Sequence, residues 1–244
     1  MEIQSILLLA FVGLLAGFLN VGAGGGSSLT LPALIFLGLD SAMANGTNRI
    51  ALIIQNIFAI LGFEQEKQNE FKTSLKYAVF TLPGAIAGAI VAVRISDALF
   101  QKILAVVMIL IVVSMFLPKM RNQTSSSKKK PWIAYTAMLG VGFYGGFIQV
   151  GVGFIIMAVL LHLCGLTLIK VNVHKVFIVL LYMLPAVAIF IVTSNINWTC
   201  GLILAAGNGT GGWLSARISV KKGEKFIRII LAIAIIVMAY KLFI

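Results

Sequence analysis

Residues 17–49 read GFLNVGAGGGSSLTLPALIFLGLDSAMANGTNR. An uncharged glycine cluster separates two apolar runs, and a polar knot closes the stretch. Gly22, Gly24, Gly25 and Gly26 predict an interruption, because glycine in a helix interior costs ~1 kcal/mol relative to alanine. The apolar run after them, 29–39, would reach about 16 Å as a helix, half of a ~30 Å hydrocarbon core. A helix that stops inside a bilayer and restarts leaves free N–H groups and a partial positive charge at the restart. Such a terminus suits an anion. Ser27, Ser28 and Thr30 stand where they could cap it.

Outward from this stretch the chain reads as a membrane protein. Of its 244 residues, 60% are hydrophobic and 11% charged, about half the charge of a soluble domain. Ten apolar segments follow one another: 3–20, 29–39, 50–63, 75–93 and 99–117, then 132–149, 154–164, 176–193, 198–218 and 226–244. Most are long and uncharged enough to span a bilayer. A β-barrel would instead alternate over segments of ~10 residues. The expected fold is all-α, a polytopic transmembrane bundle. Residues 118–131, PKMRNQTSSSKKKP, are polar and basic and divide the segments five and five. The halves are then 1–117 and 132–244, with 118–131 as linker.

Charge sets an expected orientation. The net charge is +12, from 19 basic and 7 acidic residues. With the N-terminus outside, fifteen basic residues fall on inside loops and four outside, a strong positive-inside bias. Linker 118–131 is then cytoplasmic and both termini are outside. This arrangement explains the basic character through anionic lipid, without nucleic acid. The N-terminus lacks a basic region, so its first apolar run reads as a retained helix.

Five segments per half is odd, so the second half enters from the opposite side and the repeats are inverted. Gly17-Phe18 matches Gly146-Phe147, Asn20-Val21-Gly22 matches Gln149-Val150-Gly151, and Gly24 matches Gly153. Asn45 matches Asn172, and Thr47-Asn48 matches His174-Lys175. Broken or re-entrant glycine-rich helices recurring in both halves point to a transport site.

Each candidate also has a plainer reading. Gly84-x-x-x-Gly88 and Gly207-x-x-x-Gly211 read as close helix packing. Asn45, Thr47, Asn48 and Arg49, with Asn172, His174 and Lys175, sit at the starts of segments 50–63 and 176–193. They suit a desolvated anion at two mouths of one path, and equally suit capping and snorkelling. Asn20 and Gln149 are a matched amide pair just before the interruptions. Gln55 and Asn56 suit interhelical hydrogen bonds, and Arg94 is expected to pair with Asp97. His162 and His174 lack a second ligand at metal spacing, and Cys164 and Cys200 lack a metal or disulfide pattern. There is no Gly-Lys-Ser/Thr phosphate loop and no evident catalytic triad. The expectation is that the chain is not an enzyme.

The run GFLNVGAGGGSSLTLPALIFLG, the NGTNR that follows and the fainter GGFIQVGVG of the second half resemble the sulfite exporter TauE/SafE family of bacterial membrane proteins. That resemblance covers nearly the whole chain. It implies a transporter exporting small sulfur-containing or carboxylate anions, such as sulfite or sulfonates, across the inner membrane, with no prosthetic group. Phe154 departs from it, standing where a further glycine is usual. The expected site is Asn20, Gly22, Ala23, Gly24, Gly25, Gly26, Ser27, Asn45, Asn48, Arg49, Gln149, Gly151 and Gly153, worked by alternating access. The expected partners are a small anion and lipid, and a homo-oligomer is compatible with the sequence. An anion channel and a non-transporting scaffold remain open alternatives at this stage.

Overall fold

The fold is given by a computed structural model that describes residues 3–68, 70–116 and 131–222. Among these, every regular element is a helix: α1 (Ile3–Ala23), α2 (Ser27–Phe36), α3 (Ser41–Gln65), α4 (Phe71–Arg94), α5 (Asp97–Phe116), α6 (Pro131–Phe147), α7 (Val152–Cys164), α8 (Leu168–Val192) and α9 (Trp198–Lys222). α1, α3, α4 and α8 are each long and apolar enough to cross a membrane. α2 and α7 have only 10 and 13 residues. The tenth apolar segment, 226–244, lies outside the described residues, as does the linker except for Pro131, which opens α6.

α3 and α8 pack on each other. α9 packs on α1 and α3, while α4 packs on α6 and α8; α2 and α7 tuck against their neighbours. Apolar burial cannot drive helix pairing in lipid, so close van der Waals fit must. Glycine supplies that fit. A Cβ on Gly207 or Gly211 would run into the α1 carbonyls of Ala10 or Leu14. One on Gly84 or Gly88 would run into those of Leu139 or Phe143 on α6. Outward-facing side chains such as Leu7, Phe11, Ile109 and Leu110 are exposed, as a lipid-facing surface requires.

Two expectations are corrected at the helix ends. α3 starts at Ser41 and α8 at Leu168, so the polar knots lie inside helices and not at their starts. For α3 the cause is a cap from another helix: the Ser41 N–H donates to Asp97 Oδ1 of α5 at 2.6 Å. Among the described residues Asp97 forms no ion pair with Arg94; its other oxygen accepts from Gln101 Nε2 at 2.6 Å.

Glu70, just before α4, pairs with Lys170 of α8. The Lys170 hydrogen bond, more than any other cause, holds the Glu70 carboxyl below its ordinary value of 4.5. A depressed carboxyl contributes stability that is complete above its unfolded value and vanishes as pH falls through its folded one. Glu70→Gln is therefore expected to lower the melting temperature near pH 7. That deficit should shrink as pH falls below about 4.5, read as paired thermal melts in detergent; a gap independent of pH would contradict it.

Candidate functional site

α1 ends at Ala23 and α6 at Phe147. Each helix end carries free carbonyls and partial negative charge, and each is gripped by a buried cation from another helix. Lys175 Nζ on α8 donates to Asn20 O at 3.1 Å and Val21 O at 2.8 Å. It also donates to Asn172 Oδ1 at 2.9 Å, and Asn172 Nδ2 donates to Gly22 O at 3.3 Å. On α3, Arg49 donates to Gly145 O at 3.1 Å, to Gly146 O, and to Asn45 Oδ1 at 3.2 Å. Asn45 Nδ2 donates to Phe147 O at 2.7 Å. The Arg49 guanidinium also lies 4.8 Å over the Phe190 ring. Arg49 is fully buried and Lys175 3% exposed. Among the described residues neither has a carboxylate partner; helix ends balance their charge.

Beyond these ends the backbone turns. Gly24 has φ 92° and Gly151 has φ 73°, a left-handed conformation that costs glycine little. Gln149 shares it at φ 56°, at a cost of roughly 1–2 kcal/mol for a side-chain-bearing residue. Its amide Nε2 is held by Asn45 O at 3.2 Å and Asn45 Oδ1 at 3.1 Å. α2 then starts at Ser27 and α7 at Val152, and their approaches touch. A Cβ on Gly24 would lie 2.7 Å from the Gly153 carbonyl carbon.

At that meeting point is a cavity of about 10 Å³, lined by Asn20, Ser27, Gln55, Asn56, Gln149, Gly153 and Lys175 with Leu52, Val152, Val179 and Met183. It holds one water at most. Asn20 Nδ2 donates to Gln55 Oε1 at 3.2 Å, and Asn56 Nδ2 to Leu52 O at 2.7 Å. The lining offers an ammonium, amides, a hydroxyl and the first residues of two helices, and no carboxylate. Such a lining favours negative charge.

Of the residues expected from sequence, Asn20, Ser27, Gln149 and Gly153 meet at this cavity. Gly22 and Ala23 are the last residues of α1, and Gly24 backs onto Gly153. The Gly25 carbonyl accepts from Ser28 Oγ at 2.6 Å, Gly26 abuts Ala16 and Asn20 of α1, and Gly151 abuts Ile111. Asn45 and Arg49 stand one layer back, behind Gln149. Asn48 is buried with neither amide atom hydrogen-bonded among the described residues. Gln55 and Asn56, expected only as interhelical hydrogen-bonding residues, and Lys175, weighed evenly between anion contact and snorkelling, join the lining from outside the expected site. Their signal was present: once α8 starts at Leu168, Asn172 and Lys175 share a face by i, i+3 spacing.

The family model described as Sulfite exporter TauE/SafE matches residues 9–242. The "Probable membrane transporter protein YfcA" of Escherichia coli (strain K12) is 27% identical, over 96% of this chain and 88% of that protein. The "Probable membrane transporter protein ORF9" of Sinorhizobium sp is 28% identical, over 96% of this chain and 92% of its own length. The "Probable membrane transporter protein YunE" of Bacillus subtilis (strain 168) is 27% identical, over 98% and 97%. No solved structure matches the chain.

Proposed function

The chain belongs to the sulfite exporter TauE/SafE family and is a multi-pass membrane transporter; from that premise we propose that it exports small sulfur-containing or carboxylate anions across a bacterial inner membrane. The anion sits at the cavity where α2 and α7 begin. The carrying observation is the lining itself, with Lys175, Asn20, Ser27 and Gln149 converging and no carboxylate among them. Residues 1–117 and 132–244 act as inverted repeats that rock against each other around this point. Three matched features support the inversion: α1 on α9 against α6 on α4, Lys175 on the end of α1 against Arg49 on the end of α6, and Gly24 against Gly153. The basic loops and linker 118–131 face the cytoplasm, with both termini outside.

Lys175→Gln tests the site. Glutamine can still donate to the α1 carbonyls but brings no charge. Losing a charged hydrogen bond worth about 1.5–3 kcal/mol should weaken sulfite affinity tenfold or more in proteoliposomes, with folded yield retained. Unchanged affinity would remove Lys175 from the site. Counterflow in the same vesicles tests alternating access, since a channel shows no trans-stimulation.

A further inference from the structure

The helical turns that grip the two helix ends each make one more contact, and the two contacts differ in chemistry. On α3, Thr47 Oγ1 accepts from the Asn197 N–H just before α9, at 2.9 Å. Asn197 also caps α9, its Oδ1 accepting from the Cys200 N–H at 3.0 Å. Nothing in the Thr47–Asn197 pair titrates. On α8, the residue that the sequence match sets against Thr47 is His174. Its ring reaches Glu70, just before α4, with Nε2 3.3 Å from Oε2. Its Nδ1 lies 2.7 Å from Ser74 Oγ. The His174 side chain is fully buried, whereas Glu70 is 33% exposed, so the carboxylate joins the ring to water. Nε2 has no aligned hydrogen bond among the described residues, although it faces the carboxylate.

The surroundings accept two charge states of the ring. With the single proton on Nε2, the Ser74 hydroxyl donates to Nδ1. With both nitrogens protonated, Nδ1–H donates to Ser74 Oγ, and the hydroxyl turns to the Glu70 carbonyl, 3.2 Å away. Lys170 on the same helix is the other charged group acting on His174, and it is bound to Glu70. Tyr77 of α4 meets the ring edge-on at 5.9 Å. Tyr77 packs in turn on Tyr135 of α6 and donates to Cys164 of α7. At this end of α3, Glu66 pairs with Arg217 of α9 at 3.1 Å.

We propose that Glu70, Ser74 and His174 form a proton-binding site at the α4/α8 mouth, and that a bound proton holds that mouth shut. The imidazolium–carboxylate pair ties the start of α4 to the turn of α8 that carries Asn172 and Lys175. Release of the proton loosens the tie and frees that turn, with its grip on α1, to move. The matching contact on α3, between Thr47 and Asn197, holds no proton-binding group of its own. The proton site stands on its own geometry, while its effect on flux rests on the transport reading above.

Two measurements test it. His162→Gln leaves His174 as the single histidine, so nitrogen-labelled histidine gives one imidazole signal by NMR. That signal should change charge state as the pH is lowered from 8 toward about 5, the range over which histidine switches; a signal constant over that range overturns the proposal. In proteoliposomes, sulfite and the permanently charged methanesulfonate are followed with pH varied on the α4/α8 side. Wild-type flux should be slower at pH 5.5 than at 8.0 on the order of tenfold. His174→Gln and Glu70→Gln should each give nearly equal flux at the two values. A wild-type pH response in either variant overturns the proposal. Should His174→Gln not fold, Glu70→Gln decides. If wild-type protein moves neither anion, the transport reading falls, and the NMR signal still decides whether the proton binds.

Discussion

Gly153→Ala is expected to abolish anion flux, although it adds a single methyl group. The added Cβ would lie 2.5 Å from Gly24 Cα and 2.7 Å from Gly24 O. Both are backbone atoms, so no side chain can rotate away to make room. The reciprocal Cβ on Gly24 meets Gly153 in the same way, at a residue already in the left-handed region. The starts of α2 and α7 must therefore separate at the cavity lining. Overpacking of this kind costs typically about 1–3 kcal/mol. Backbone conformation does not oppose the change: Gly153 is the second residue of α7, a helical position that alanine adopts readily. A loss is thus diagnostic of the contact. Gly140→Ala is the matched control, a helical glycine with nothing within 4 Å of its Cβ position; it should keep wild-type flux and melt no lower. Wild-type flux from folded Gly153→Ala would detach transport from the meeting of these two glycines.

Arg49→Met should be the most destabilising of the side-chain changes considered. The guanidinium satisfies two carbonyls at the end of α6 together with Asn45 Oδ1. Methionine fills much of the volume and leaves those acceptors bare in a fully buried site. Each buried acceptor left unsatisfied costs about 1–3 kcal/mol, and with two carbonyls stripped together most folded protein and all flux should be lost. Arg49→Lys separates charge from geometry. A lysine does the corresponding work at the end of α1, where Lys175 reaches two carbonyls and an asparagine. The lysine variant should therefore fold, with a smaller drop in melting temperature than Arg49→Met. Equal melting of wild type and Arg49→Met would mean that the clamp carries no stability.

Much of the architecture could be read from local chemistry. Low charge and long apolar runs gave the helices their membrane setting, and four of the described helices are long and apolar enough to span one. The glycine-to-alanine propensity difference marks the place where α1 ends and α2 begins. Small residues four apart on 84/88 and 207/211 foretold close helix contact, and those glycines do abut neighbouring backbone. The polar knots were legible as important and misread in position. The apolar run places the helix start near residue 50, but the Ser41 start is capped by Asp97, 56 residues away. With the helix boundary misplaced, Asn45 and Arg49 looked like two residues at a mouth.

The sequence alone determined that this chain is a helical membrane protein with a surplus of cations, because hydropathy and charge are properties of neighbours along the chain. Only the tertiary structure decided what the polar groups do. Arg49 and Lys175 spend their charge on helix ends 96 and 155 residues away, and His174 meets Ser74 across 100. No periodicity encodes those partners. A carbonyl becomes an ion's counter-charge only when another helix brings it within about 3 Å with water excluded, and where that helix lies is a fact about packing.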